Sequence, residues 1–352
     1  MSYRWLALGA AAVWLLATAA QAPAGQTKAL IADAEAPPAV LTVLPPRTDY
    51  RPRMTPWGEP DFRGAWPLNH LAGLPLQRSP DKADRAFLTE PEFQQRQRQI
   101  GAVRGAVAAD YRNNKLDDGV WVEMTGAGRR TSMLVDPPNG RLPELTPEGK
   151  RQEKLGRSSW VRTLELDQPT DFDSWERCIT RGFPASMLPF SHDNGVRIFQ
   201  SPGVMVIQLE MIHEARIIPT DGRPAASPSP VKSWMGVSRG RWEGRTLVIE
   251  TTNIRPGASP LNQQTIGAPR NNTIPMSPEA RVVERLTMTG PSSIDYEMTY
   301  SDPSIWTAPF TVRLDWRRDD AYRLYEYACH EGNLVVRNLI LSSRYRRAHP
   351  GR

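Results

Sequence analysis

Two histidines stand where their neighbours could put them to chemical use. Between Val204 and Ile218 the odd positions read Met205, Ile207, Leu209, Met211, His213, Ala215 and Ile217, while the even ones include Gln208, Glu210, Glu214 and Arg216. Side chains alternate across a strand, so a single strand over this run turns the odd set inward and carries His213 with it. An imidazole in an apolar row has two readings. It either exchanges protons with a bound molecule near neutral pH, or it is a core residue satisfied by a backbone carbonyl. His330 follows Cys329, and the chain's other cysteine is Cys178. In an oxidising compartment such a pair reads as a disulfide, and closing it draws Glu176, Arg177 and Arg181 to the same end as His330. A neutral imidazole beside a carboxylate can act as acid or base, and an arginine can hold an anionic group of the substrate. The expected catalytic set is therefore His213, His330 and Glu176, with Arg177, Arg181, Trp242 and Tyr327 binding the substrate. The bland counterpart for Glu176 and Arg177 is a solvated pair flanking a structural crosslink.

Other chemistries fit less well. Two histidines and a carboxylate suffice for zinc, copper or iron, but the His-x-His and His-x-x-x-His spacings are missing, so no metal or organic cofactor is assigned. Asp171, Asp173 and Glu210 qualify as glycosidase carboxylates by residue type alone. There is no Gly-x-Ser-x-Gly elbow and no phosphate-cradling glycine loop. Trp234, Trp242, Trp306, Trp316, Tyr296, Tyr300, Tyr325 and Tyr327 either line a pocket for an aromatic or lipid-like ligand or form the core and hairpin surface of a β domain. The 44 Lys and Arg against 38 Asp and Glu are dispersed along the chain, which argues against nucleic acid as a partner. The expected partner is a small molecule.

The elements that must position these residues change along the chain. Arg4, the apolar run from Trp5 to Leu16 and the small residues up to Ala22 have the three-part layout of a secretory signal. Residues 1–24 are expected to be removed, leaving a periplasmic or secreted protein without an integral membrane segment. Residues 25–80 are rich in proline and should run extended over a surface or stay mobile, with a strand start at Pro60 to Trp66. Residues 81–160 form a helical segment packed on the β domain, with helix entries at Thr89 and at Thr146-Pro147-Glu148. The β domain occupies 161–345. Its texture begins earlier, in short runs at Ser132 to Val135, Val196 to Phe199, Val204 to Ile218, Arg241 to Thr252, Arg281 to Thr289, Ile294 to Tyr300, Phe310 to Arg318 and Leu324 to Cys329. Gly, Pro, Asn and Asp turns separate them, the pattern of a sandwich or barrel. Pro224 to Pro230 and Arg255 to Pro278 are loops, the second long enough for a lid or for disorder.

Five segments together carry a resemblance: Pro60 to Trp66, Glu176 to Pro184, Glu210 to Pro219, Ser238 to Val248 and Tyr325 to Asn333. They resemble a large family of exported bacterial proteins that has no agreed function. The likeness covers nearly all of the chain beyond the signal, and its Cys329-His330-Glu331-Gly332-Asn333 is quite specific. The chain departs from that pattern at Glu214 and Arg245, where the family has Asp. Gly64-Ala65-Trp66 is also similar to the Gly-x-Trp of the first lipocalin strand, and Trp242-Glu243-Gly244 to turns of other small ligand-binding barrels. These likenesses imply a mainly β, lipocalin-like antiparallel barrel, with a β-sandwich as the alternative. The matching function is an exported enzyme working on a small, partly apolar organic molecule by His-based acid–base chemistry, as a lyase, isomerase or hydrolase. Fold alone does not separate this from a carrier that binds a small hydrophobic or aromatic ligand without turnover.

Overall fold

The computed structural model describes residues 49–350 apart from Ala83, 114–122, Arg162, 225–229 and 263–264. The signal segment and most of the Pro224 to Pro230 loop lie outside the described residues. The strands form two antiparallel sheets. In the smaller, β1 (Gly64–Ala65), β3 (Val196–Ser201), β4 (Val204–Leu209) and β5 (Ala215–Pro219) lie in the order β1-β3-β4-β5. In the larger, β2 (Leu134–Asp136), β10 (Phe310–Arg317), β9 (Ser293–Ser301), β8 (Arg281–Gly290), β7 (Thr246–Thr252) and β6 (Val237–Glu243) lie in the order β2-β10-β9-β8-β7-β6. The two sheets do not join into a closed barrel, because β5 pairs only with β4 and β6 only with β7. A sandwich-like arrangement therefore stands where a lipocalin-like barrel was expected.

Period-two patterning explains the core. Val282, Leu286 and Met288 of β8, Ile294, Tyr296, Met298 and Tyr300 of β9, and Val312, Leu314 and Trp316 of β10 are all buried. Val196, Ile198, Met205, Ile207 and Ile218 of the smaller sheet belong to the same core. Tyr296 stacks on Trp316 with ring centroids 4.5 Å apart. Burying each large apolar side chain contributes roughly 1.5–3 kcal/mol. The sheets approach closely at Gly240 on β6, where a Cβ would lie 2.9 Å from Thr220 and 3.2 Å from Ile218.

Three regions depart from their sequence expectations. The proline-rich segment, over its described residues, is part of the core: Phe62, Trp66, Leu68, Leu71, Leu74 and Leu76 are each at most 2% exposed. The prolines keep it out of long helices, and the apolar residues between them set its depth. The Arg255 to Pro278 loop likewise buries Leu261, Ile274 and Met276 in the core, so it is packed down over its described residues. Leu324 to Cys329 is not a strand. With β9 on one side of β10 and β2 on the other, no ladder edge is left beside β10 for it.

The helices are α1 (Glu90–Arg112), α2 (Pro147–Leu155) and α3 (Val335–Ala348). The first two begin where the sequence signals put them. Thr89 N–H donates to Glu92 Oε2 at 2.8 Å, and Thr146 Oγ1 accepts from Gly149 N–H at 2.9 Å with Pro147 in the first turn. α3 was not foreseen. It is tied down by Leu166 N–H donating to the buried Ser343 hydroxyl at 2.9 Å. No helix among the described residues is long and apolar enough to cross a membrane.

Candidate functional site

The disulfide forms: Cys178 and Cys329 are bonded, with Cα atoms 5.7 Å apart. Asn333 Nδ2 reaches back across it, donating to Glu176 O at 2.8 Å. The Glu176 carboxylate accepts from the Ser159 hydroxyl and from Asp173 N–H at 2.9 Å. Burial and the nearby Asp173 charge push its carboxyl above the usual range. Arg177 Nε donates to Asp173 O at 3.2 Å. Arg181 is buried, its Nη atoms donating to Leu188 O at 2.7 Å and Thr265 Oγ1 at 2.8 Å, and its guanidinium lies 4.4 Å over Phe190. Desolvation pushes it down to about 9. Tyr327 packs with Trp175 against the small cluster of Phe190, Met211 and Ile212. Trp242 packs instead on the main core, 5.8 Å from Phe62, so the two expected aromatic contacts do not share a site. Trp306, Trp316, Tyr296 and Tyr300 are buried core residues.

His213 corrects the inward reading. Val204 to Ile218 is a hairpin rather than one strand: β4 ends at Leu209, whose N–H donates to Glu214 O at 2.8 Å, and β5 starts at Ala215. A turn over Met211–His213 takes Ile212 to φ 56° and His213 to φ 43°. The reversal inverts the alternation, so Arg216 and Ile218 go inward while Ala215 and Ile217 face out. His213 is exposed on the turn, and His330 is exposed beyond the disulfide. Among the described residues, no hydrogen bond joins either histidine to Glu176. Of the expected catalytic set only Glu176 is half-buried beside the crosslink.

A different histidine has an acid partner. His192 Nδ1 lies 2.5 Å from Asp193 Oδ2, both side chains are about one-fifth exposed, and the ring stands edge-on to Phe190 at 4.9 Å. Asp193 N–H donates to Glu123 Oε2 at 3.0 Å, and burial together with Asp193 pushes the Glu123 carboxyl up. Glu210 lies nearby, buried and saturated by Gly195 N–H at 2.8 Å, Tyr322 O–H at 2.6 Å and Tyr325 N–H at 2.6 Å. The remaining carboxylates singled out by type also have structural partners. Asp171 accepts from Asp167 and Gln168 N–H, and Asp173 from Trp175 and Glu176 N–H. Among the described residues no group of three or more His, Cys, Asp or Glu side chains is arranged to hold a metal ion.

A concavity lies elsewhere, on the outer side of the smaller sheet. A groove of roughly 700 Å³ runs past β1 and β3 and under the β8–β9 turn. Arg53, Arg63, Arg197 and Arg318 line it, against Asp61 and Asp320. Arg63 forks onto Asp61 with two contacts of 2.8 Å, and Arg318 Nε meets Asp320 at 2.8 Å. β1 must be glycine here: a Cβ on Gly64, at φ 142°, would lie 2.8 Å from both Arg318 Nε and Asp320 Oδ1. Arg53 and Arg197 have no carboxylate within ion-pair distance among the described residues. Arg197 donates from Nη2 to Tyr322 O at 3.5 Å, and its buried Nε has no partner. Phe199, beside Arg197 on the outward face of β3, forms part of the wall. Sequence reasoning missed this site because its arginines come from segments far apart in the chain, and only Arg63 lies in a segment that carries the family resemblance. Set beside known proteins, the chain matches no protein-family model, no curated protein and no solved structure.

Proposed function

We propose that the protein is an exported binding protein that holds a small anionic organic molecule in the arginine groove. The observation that carries this is the pair Arg53 and Arg197, cationic side chains facing a concavity with no carboxylate within ion-pair distance among the described residues. With Arg63 and Arg318 offset by Asp61 and Asp320, the groove keeps a formal surplus of two positive charges. A carboxylate or phosphate there gains charge-assisted hydrogen bonds, and the concave wall removes it partly from water. The Cys178–Cys329 bond supports a working place outside the reducing cytoplasm. Calorimetric titration of the protein with hexanoate, benzoate and phenyl phosphate, against hexanol as the uncharged control, tests the reading. The anions should bind and hexanol should not, and Arg197→Gln and Arg53→Gln should each weaken the anions by about tenfold. Equal binding of hexanol, or anion binding indifferent to both arginines, would sink it.

A second reading keeps the acid–base enzyme and moves its centre to His192. Its support is the His192–Asp193 contact with Glu123 beside it, a carboxylate-oriented imidazole reachable from solvent. On this reading any lyase, isomerase or hydrolase turnover is lost in His192→Ala and kept in His213→Ala. Turnover surviving His192→Ala ends it.

A further inference from the structure

We infer that the ligand of the arginine groove is a single-chain anionic amphiphile of the fatty-acid type, its head at Arg53 and Arg197 and its chain along Phe199, Val206 and Ile217. This rests on the groove reading and adds the chemistry of the ligand's other end. The outward face of the smaller sheet is not polar, as a solvent-facing sheet surface normally is. Phe199 is 47% exposed and Ile217 68% exposed. Register makes them one row: Phe199 pairs with Val206 on β4, and Val206 pairs with Ile217 on β5. The row crosses two strand spacings, about 10 Å, on one face. Arg197 is two residues before Phe199 on the same strand and face, about 7 Å away. Phe199 belongs both to the groove wall and to the row, so the cationic and apolar surfaces are continuous.

That continuity selects the occupant. A short anion would use the arginines and leave Phe199 and Ile217 in water, whereas an alkyl chain leaving the head at Arg197 meets Phe199 first. Val204 and Pro219 flank the row on one side and Arg197 and Gln208 bound it on the other, a strip that suits one chain better than the broad face a bilayer needs. A second copy docked face to face on the same surface would bring like-charged arginine grooves together, which disfavours that occupant.

The test is a chain-length series. Hexanoate, octanoate and decanoate, kept below micelle formation, are titrated calorimetrically into the wild-type protein and into Phe199→Ser, Ile217→Ser and Arg197→Gln. The expected gain is about threefold in affinity for each two carbons, well short of full burial because the row is open on one side. Ile217→Ser should flatten the series without changing hexanoate binding, and Phe199→Ser should flatten it while weakening hexanoate as well. Both residues are exposed, and unchanged melting temperatures would show that the fold is intact. Arg197→Gln should weaken every member alike. A flat wild-type series with hexanoate still bound overturns the amphiphile while leaving the groove reading standing. If no member binds, both fall. Two other outcomes also overturn it: phosphatidylglycerol-vesicle binding without binding of the monomeric acids, and a sedimentation-detected dimer that Ile217→Ser dissolves.

Discussion

Arg216 on β5 donates to both carboxylate oxygens of Glu284 on β8, at 2.8 and 2.5 Å, and so ties the two sheets together through the middle of the core. Their side chains are 1% and 0% exposed. The Ser238 and Thr251 hydroxyls each lie 3.3 Å from Arg216 Nη2, and Tyr296 O–H donates to Glu284 Oε1 at 2.8 Å. The guanidinium also lies 4.4 Å over the Phe183 ring. A charge pair this deep loses hydration on both sides, so its net worth depends on both partners staying in place.

Removing one partner should therefore be far worse than removing both. Glu284→Ala and Arg216→Met are each expected to cost about 3–5 kcal/mol, read from urea midpoints, because each strands a buried charge. The Arg216→Met/Glu284→Leu double variant should recover most of that loss. Additive losses in this cycle would mean that the two side chains do not act as a pair.

The crosslink makes a second, independent contribution. Cys178 and Cys329 are 151 residues apart in sequence. Closing a loop of that length restricts the unfolded chain by about 5 kcal/mol in the entropy model, an upper figure for what is measured. Cys178→Ser/Cys329→Ser should lose about 3–5 kcal/mol, and reductant should lower the wild-type melting temperature to that of the double variant. A melting temperature indifferent to reductant would leave the crosslink no part in stability.

The pH behaviour of Glu123 has a definite sign. Its carboxyl sits above its ordinary value of 4.5 because of burial first and the charge of Asp193 second. The folded state thus keeps this proton to a higher pH than the unfolded chain does. Its contribution to stability falls as pH rises through the window above 4.5 and stays unfavourable at neutral pH. Glu123→Gln, which still offers an oxygen to Asp193 N–H, should melt higher than wild type at neutral pH, and the difference should vanish below about pH 4. A variant melting lower at neutral pH would show that the charged form is the favoured one.

How much of this was legible follows from local chemistry. Within the larger sheet β8, β9 and β10 were readable because they alternate cleanly and end at Gly290-Pro291-Ser292 and at the Asp residues after Arg318, whereas the run Arg241 to Thr252 is in fact the end of β6, a turn and β7. The same alternation put Glu284 between Val282 and Leu286 on an inward row, so its burial was signalled as plainly as any in the chain. The β4–β5 hairpin was not signalled. Its turn, Glu210 to Glu214, has no Gly, Pro or Asn, and Ile212 takes a positive φ that its type resists. A two-residue period read through that turn sends His213 inward and Arg216 outward, the reverse of what the hairpin does. The groove was beyond reach for another reason. Arg53, Arg197 and Arg318 meet only when the proline-rich segment lies along β3 and the chain leaves β10 beside it.

His213 offers the sharpest check on that reversal. An L-residue in the left-handed region is disfavoured by roughly 1 kcal/mol or more, and glycine escapes most of this at the cost of greater freedom in the unfolded chain. At φ 43° with an exposed side chain, His213 has backbone strain to relieve and little packing to lose. His213→Gly should therefore leave stability unchanged or raise it by up to about 1 kcal/mol, and His213→Ala should stay within about 0.5 kcal/mol of wild type. Neither should alter anion binding, since the groove is lined by other residues. An imidazole facing inward from a continuous strand behaves oppositely: truncating it leaves a cavity and an orphaned polar neighbour, a loss of about 2 kcal/mol or more. Denaturant midpoints of the two variants thus separate the turn from the strand.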